Sequence, residues 1–426
     1  MAPVSVLSVV LAVASSVLLA HCIRWYVAHT RPHGCIESRV ENQVTEYRKI
    51  ADFSFFDAKT PEDRLKLRAK PNARLITTFS IHNSFTTSDT DLHKRFVKTA
   101  NHAIDKVHTE DWIKLGKVTQ TILELCQKHF SHGLPYMPLA SFVRVVSFSL
   151  MLHVLFQTEP LKIDLDEAVK ATQAINRLWI QSKDQGLAPS LYEKKLLSNA
   201  LEKLLPDQPV GDEHFRPLDL IMPAYETLWR VVLLTFVSIA SQNVDPVMTD
   251  ELREAVKNVP ECFCRRNDAE MRALAIAKEG LRLYPPTKRI YRAMSTADDE
   301  GGAISADVEA CQRDCRVWGS DALEFKPTRF HNWNDEASLT LEVKDLKKLS
   351  YFPFGIGRNR CPAAAMFGDK IITLLVVELT RRFGTRQTGL KVHFGNASAQ
   401  QILPGPLPSG RGDMENWELE VNEENR

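Results

Sequence analysis

One cysteine, Cys361, stands in the stretch SYFPFGIGRNRCPAAAMFGDK, between a glycine-rich loop carrying Arg358 and Arg360 and a run of alanines. Pro362 follows it at once. Proline suits the first helical position, because its missing N–H would be unpaired there anyway. The spacing therefore predicts a helix opening at Pro362, with Cys361 at its positive end. Exposed backbone N–H groups and the two arginines favour thiolate over thiol. Gly355 and Gly357 let the backbone pass close to something flat and bulky. A stabilised thiolate on such a loop is a nucleophile or a metal ligand. No histidine at dyad spacing supports the nucleophile.

Three further stretches carry groups that could act together. In KEGLRLYPP, Glu279 and Arg282 are three apart and share a helix face. They are a solvated surface pair or half of a buried ionic group. FKPTRF supplies Arg329 shortly before the cysteine loop. In PAYETLW, Glu226 and Thr227 follow Pro223 inside an apolar helix, where the proline removes one backbone hydrogen bond. An acid and a hydroxyl beside opened backbone could hold a water or dioxygen. Alternatively, they mark a helix kink with polar groups satisfied locally.

The elements that must position these groups are mostly helical. After a polar region with a strand-like patch at RLITTFSI, the pattern turns helical from Leu92. TEDWIKLGKVTQTILELCQKHF opens with Thr109 as N-cap and has apolar spacing near 3.6. PLASFVRVVSFSLMLHVLF is apolar nearly all round and reads as a buried helix; Arg144 and the serines argue against a membrane span. Leu218 to Ala240 form another long apolar helix. NDAEMRALAIAKEGLRLYPP begins with Asn267 and Glu270 in capping-box spacing and stops at Pro285. The helix after Cys361 ends at Gly384, and residues 296–350 are loop-rich. No glycine-rich phosphate loop follows a strand, so no nucleotide-binding domain is indicated. Arg411-Gly412-Asp413, in the Pro/Gly-rich tail, reads as a chance tripeptide.

The 426 residues are 44% hydrophobic and 25% charged, enough for a large core. A net charge of +1 gives no sign of a nucleic-acid partner. Met1 to Ile23 carry no Lys, Arg, Asp or Glu; as a helix they span roughly 35 Å, long enough for a bilayer core. Arg24, Trp25, Tyr26 and Arg31 follow, an interfacial belt with positive charge. The expectation is a single-pass anchor over residues 1–23 with residues 24–426 as one cytosolic domain. A cleaved signal peptide fits less well, for want of a basic leader and a clean cleavage site. The seven other cysteines match neither a disulfide framework nor a zinc site and read as thiols in a reducing compartment.

Together and in this order, the motifs resemble the cytochrome P450 family of haem-thiolate monooxygenases, in its membrane-anchored, fungal-like eukaryotic type. FPFGIGRNRCPA resembles the haem-binding signature, with Phe354, Gly357 and Cys361 in register. Glu279 and Arg282 match the family's ExxR pair, with Arg329 as third member of the structural triad. Glu226 and Thr227 resemble the acid–alcohol pair that serves oxygen activation. DLHKRFVK is similar to the helix that meets a haem propionate, pointing to His93 and Arg95, and Arg292 falls where the family places another propionate arginine.

The resemblance implies a mainly α fold with a minor β-sheet and a haem b cofactor ligated through Cys361. It also implies insertion of one oxygen atom of O2 into an apolar small molecule, with secondary metabolism the expected setting. Electrons would come from an NADPH–cytochrome P450 reductase at the endoplasmic reticulum membrane. A reductase-independent haem-thiolate isomerase or dehydratase, or a decayed non-catalytic haem protein, is the alternative. Two departures stand out. Asn359, flanked by Arg358 and Arg360, replaces the signature's arginine two residues before the cysteine, and the stretches before His93 and from His93 to Thr227 are short.

Overall fold

The computed structural model describes residues 33–107, 111–131, 134–184, 188–208, 215–241, 246–265, 267–297, 302–333, 345–364, 366–395 and 405–421. Residues 1–23, where the anchor is expected, and Thr109 lie outside them. The helices, in chain order, are α1 (His33–Asp52), α2 (Pro61–Ala69), α3 (Ala73–Phe79), α4 (Thr90–Asp105), α5 (Asp111–Ser131), α6 (Leu139–Phe156), α7 (Leu165–Gln181) and α8 (Leu191–Leu204). They continue with α9 (Pro217–Ser241), α10 (Pro246–Asn258), α11 (Asp268–Leu283), α12 (Val308–Arg313), α13 (Cys315–Trp318), α14 (Leu346–Ser350) and α15 (Phe367–Phe383). The strands are β1 (Tyr136–Pro138), β2 (Arg289–Ala293), β3 (Ala303–Asp307), β4 (Val392–His393) and β5 (Glu418–Glu420). They form two small antiparallel sheets, ordered β1-β5-β4 and β2-β3. The fold is thus mainly helical with minor sheet, as the patterning predicts.

The core is a stack of helices around α9, which packs against α6, α11 and α15. α6 and α9 are apolar enough to cross a bilayer, yet 78% and 72% of their apolar windows are buried within the protein. Apolar residues on every side are what a central helix needs. The lone charge in α6, Arg144, is matched by Glu415 from the C-terminal segment, with bonds of 2.6 and 3.0 Å. Close approach of α9 and α11 depends on Gly280, where a Cβ would lie 2.0 Å from Thr235 Oγ1.

Two local expectations change. RLITTFSI is not a strand: residues 73–79 form α3, ended by Ser80 in the left-handed region. The β-branched run suits a strand by propensity, but Leu75, Thr78 and Phe79 bury one face at helical spacing, and packing overrides propensity. The capping box of α11 is half formed. Asn267 Oδ1 accepts from Glu270 N at 3.2 Å, while the Glu270 carboxylate pairs with Lys370 at 2.8 Å.

Candidate active site

The cysteine loop is pinned by its own backbone. Cys361 N donates to Phe354 O at 3.0 Å, and Gly355 N to Phe352 O at 3.0 Å. Gly355 and Gly357 have φ of 71° and 69°, the region that favours glycine. A Cβ at Gly355 would meet nothing within 4 Å, whereas one at Gly357 would press on Asp52 of α1. Gly355 thus faces open space, and Gly357 serves contact with α1. Phe354 lies against the start of α15, where a Cβ on Gly368 would sit 2.6 Å from its ring.

The helix expected to open at Pro362 does not. Pro362–Ala364 make a single 3-10 turn, Met366 has φ of 77°, and the long helix starts at Phe367. A left-handed residue interrupts the helical hydrogen-bond ladder whatever the propensity of the alanines. Local donors still reach the sulfur: the Ala363 and Ala364 N–H groups and the Arg360 charge pull its pKa down, but burial pushes harder and holds the thiol above its ordinary value. The expected preference for thiolate is thus overturned for the free side chain, because desolvation outweighs the donors. A cation at the sulfur reverses that balance, since coordination removes the proton outright. Cys361 also keeps an exposed face while ringed by protein, as a ligand to a bound iron must.

On α4, His93 Nδ1 lies 2.7 Å from Ser84 Oγ and 3.4 Å from Arg68 Nη2. Burial, then the Arg68 charge, holds the imidazole below its ordinary pKa. Arg292 on β2 donates to Ala51 O at 2.9 Å and Tyr291 O at 2.8 Å, over the Phe53 ring. Arg68 and Arg292 are 5% and 7% exposed, and each keeps a buried Nε without a partner. Burial lowers them to about 10 and about 9, with Arg68 adding repulsion at Arg292. Two buried guanidiniums bonded to neutral oxygens call for an anion. The propionates of haem b fit that requirement. Sequence reading missed Arg68, because a basic residue in the polar run RLKLRAK gives no sign of burial. Arg95 is not brought to this group; it is exposed and lies over Phe215. Arg358 is exposed, and Arg360 donates to Ala364 O at 3.3 Å beside the cysteine.

Glu279 and Arg282 are fully buried and paired bidentately at 2.6 and 2.8 Å. Arg282 also donates to the carbonyls of Gln312 and Ala322, at 2.8 and 2.7 Å. Arg329 stands 3.5 Å from Glu279 and binds Asp321 at 2.8 Å. The three predicted residues therefore meet, and Asp321 joins them as a fourth that the sequence did not single out.

On α9 the proline leaves a carbonyl free about two turns before the acid–alcohol pair. It is that of Asp219, and Asn83 Nδ2 takes it at 2.9 Å. The expected opening beside Glu226 and Thr227 is thus absent, because a missing N–H frees the carbonyl four residues earlier. Thr227 Oγ1 donates to Pro223 O at 3.0 Å. Glu226 is 4% exposed; one carboxylate oxygen accepts from Trp229 Nε1 at 3.3 Å and pairs with Arg411, while the other has no partner. Arg411, from the tripeptide that reads as a chance one, is thereby drawn to the site. It is buried and also donates to Asn176 Oδ1 at 3.2 Å.

Comparison with known proteins agrees with these features. The cytochrome P450 family model matches residues 218–385. Cytochrome P450 78A7 of Arabidopsis thaliana is 32% identical over 195 residues, 41% of this chain and 34% of its own length. Indoleacetaldoxime dehydratase of Arabidopsis thaliana is 31% identical over 186 residues, 41% of this chain and 36% of its own. Beta-amyrin 24-hydroxylase of Glycine max is 37% identical over 113 residues, covering 25% and 20%. The matches to these curated relatives thus span about a third of their length or less. A six-coordinated cytochrome P450 from Thermus thermophilus shares the fold, with TM-score 0.52 and 18% identity over 80% of this chain and 87% of its own. With the ordered motifs and the helical fold in place, residues 218–385 match the cytochrome P450 family, whose cofactor is haem b.

Proposed function

We propose that the protein is a haem-thiolate monooxygenase acting on an apolar small molecule with O2 and electrons from an NADPH–cytochrome P450 reductase. The observation that carries this is Cys361, open on one face, with two backbone N–H groups and Arg360 directed at its sulfur. Cys361 Sγ would ligate the iron, and Arg68, His93 and Arg292 would hold the propionates. Thiolate-ligated haem supplies dioxygen activation and oxygen-atom transfer. The Ala363 and Ala364 N–H groups temper the charge on the sulfur. Thr227 Oγ1 and the unpartnered Glu226 oxygen would hold protons for the reaction. A reductase would dock against exposed cations such as Arg358, three residues before Cys361. An anchor over residues 1–23 would place the domain at the endoplasmic reticulum, with substrates from secondary metabolism.

The test is the reduced, carbon monoxide-bound spectrum. Wild type should give the strongly red-shifted Soret band of thiolate ligation, and Cys361→Ser should lose it together with turnover. A variant keeping both would overturn the assignment. A reductase-independent dehydratase is the second reading, favoured by the dehydratase relative and by the engagement of Glu226 with Arg411. Turnover that needs neither NADPH nor reductase would select it.

A further inference from the structure

Cations gather on one wall beside the acid–alcohol pair. Trp179 of α7 carries two guanidiniums, Arg74 of α3 at 4.9 Å and Arg411 at 4.8 Å from its ring centre. Arg74 donates to Ser182 Oγ at 2.5 Å, next to Lys183. Two residues before Arg411, Ser409 accepts Arg230 at its carbonyl, 3.0 Å away, and Lys288 at its hydroxyl, 2.7 Å away. Arg230 and Lys288 thus meet at Ser409, Arg74 and Arg411 meet over Trp179, and the exposed Lys183 lies within electrostatic range of all four.

The facing acids do not balance them. Glu226 pairs with Arg411, and Glu309 with Lys288 at 3.2 Å but also with Arg313 at 2.9 Å. Glu415 is taken by Arg144 and Asn176, and Asp413 by the Gly410 N–H. Among the described residues, no carboxylate lies within ion-pair distance of Arg74, Lys183 or Arg230. Arg230 and Arg411 each keep a buried Nε without a partner, and Arg411 is only 7% exposed. Burial, then the charge of Arg411, lowers Arg230 to about 10; Lys183 is lowered by burial and by the other four cations.

A wall of like charges with unused donors is costly by itself and favourable around an anion. Its place is specific: Glu226 and Arg230 lie one residue before and three after Thr227 on α9. Trp179 and the buried rings of Trp229 and Phe79 make the surroundings of these guanidiniums apolar. We propose that this wall receives a carboxylate head group, so that the substrate is an organic acid with an apolar body. The proposal deepens the monooxygenase reading and rests on it.

The test uses haem-loaded protein, its thiolate spectrum first verified so that failure of the earlier reading is seen separately. Calorimetric titration compares two matched pairs, dodecanoate with dodecanamide and 3-phenylpropionate with 3-phenylpropionamide. At least one acid should bind about tenfold tighter than its amide, as a charge-assisted pair provides. Arg74→Ala and Arg230→Ala should each erase most of that preference and leave amide affinity unchanged. Arg74 is half-buried and holds no carboxylate, so its variant should keep normal helicity and haem content even where Arg230→Ala does not. Equal affinity within both pairs, no binding by either acid, or an acid preference that survives Arg74→Ala would overturn the proposal.

Discussion

Replacing Glu279 by alanine separates a structural ionic group from a catalytic one. Glu279 and Arg282 are fully buried, and the carboxylate accepts twice from Arg282 and once from Lys326 N at 2.8 Å. Its loss strands a buried guanidinium, which costs about 3–5 kcal/mol when one partner of a buried pair is removed. Three carbonyls, of Gln312, Ala322 and Glu324, still hold Arg282, so the cost should fall near the lower end. The orphaned Lys326 N–H adds about 1–3 kcal/mol, and the two do not sum fully because they share one oxygen. A net loss of about 4 kcal/mol is a large part of a domain's 5–15 kcal/mol. Glu279→Gln keeps an acceptor and should lose about half as much. The assay is the urea midpoint together with the haem-to-protein ratio. The midpoint should drop by about 1–2 M with little change in slope, and haem loading should fall in step. An alanine variant with full haem content, an unmoved midpoint and slow turnover would refute the structural assignment.

Two other changes have signs set by the structure. The Arg329 hydrogen bond holds the Asp321 carboxyl down at about 2. A carboxyl lower when folded than unfolded stabilises fully above its unfolded value near 3.9, and that stability is lost as pH falls toward 2. Partial exposure leaves about 1–2 kcal/mol. Asp321→Asn should therefore lower stability at pH 6 by about that amount and flatten acid unfolding between pH 4 and 2; an equal loss at every pH would contradict the linkage. Gly280→Ala puts a methyl 2.0 Å from Thr235 Oγ1, forcing α9 and α11 apart at about 1–3 kcal/mol. Thr235→Ala should recover most of it in the double variant, and simple additivity in thermal unfolding would show that the crossing is not the cause.

What the sequence made legible was what short range and strong periodicity encode. The apolar helices α6 and α9, the stop of α11 before Pro285 and the end of α15 at Gly384 stand as patterned. So does the Glu279–Arg282 pair, because three-residue spacing on a helix leaves little freedom. Where the reading failed, long-range contacts decided. α3 looks like a strand until its face is buried. The turn after Cys361 ends because Met366 adopts a left-handed conformation that no local signal announces. The carbonyl opened by Pro223 is claimed by Asn83, distant in sequence.

Arg411 shows the same limit at the site itself. In sequence it belongs to a polar turn, and nothing nearby in the chain predicts that it will be buried. In the fold it stands against Glu226, Asn176, Trp179 and Trp229, contributed by α9 and α7. A charge drawn into such a place from the far end of the chain costs desolvation that one acid does not fully offset. Arg230 and Arg74 beside it raise that cost further, since like charges share the same space. An anion bound among them supplies the missing charge. Of the cations proposed to hold a substrate's head group, Arg74 and Arg411 lie outside the residues that match the family, as do Arg68 and His93 of the proposed haem cradle, while Arg230 and Lys288 lie within them.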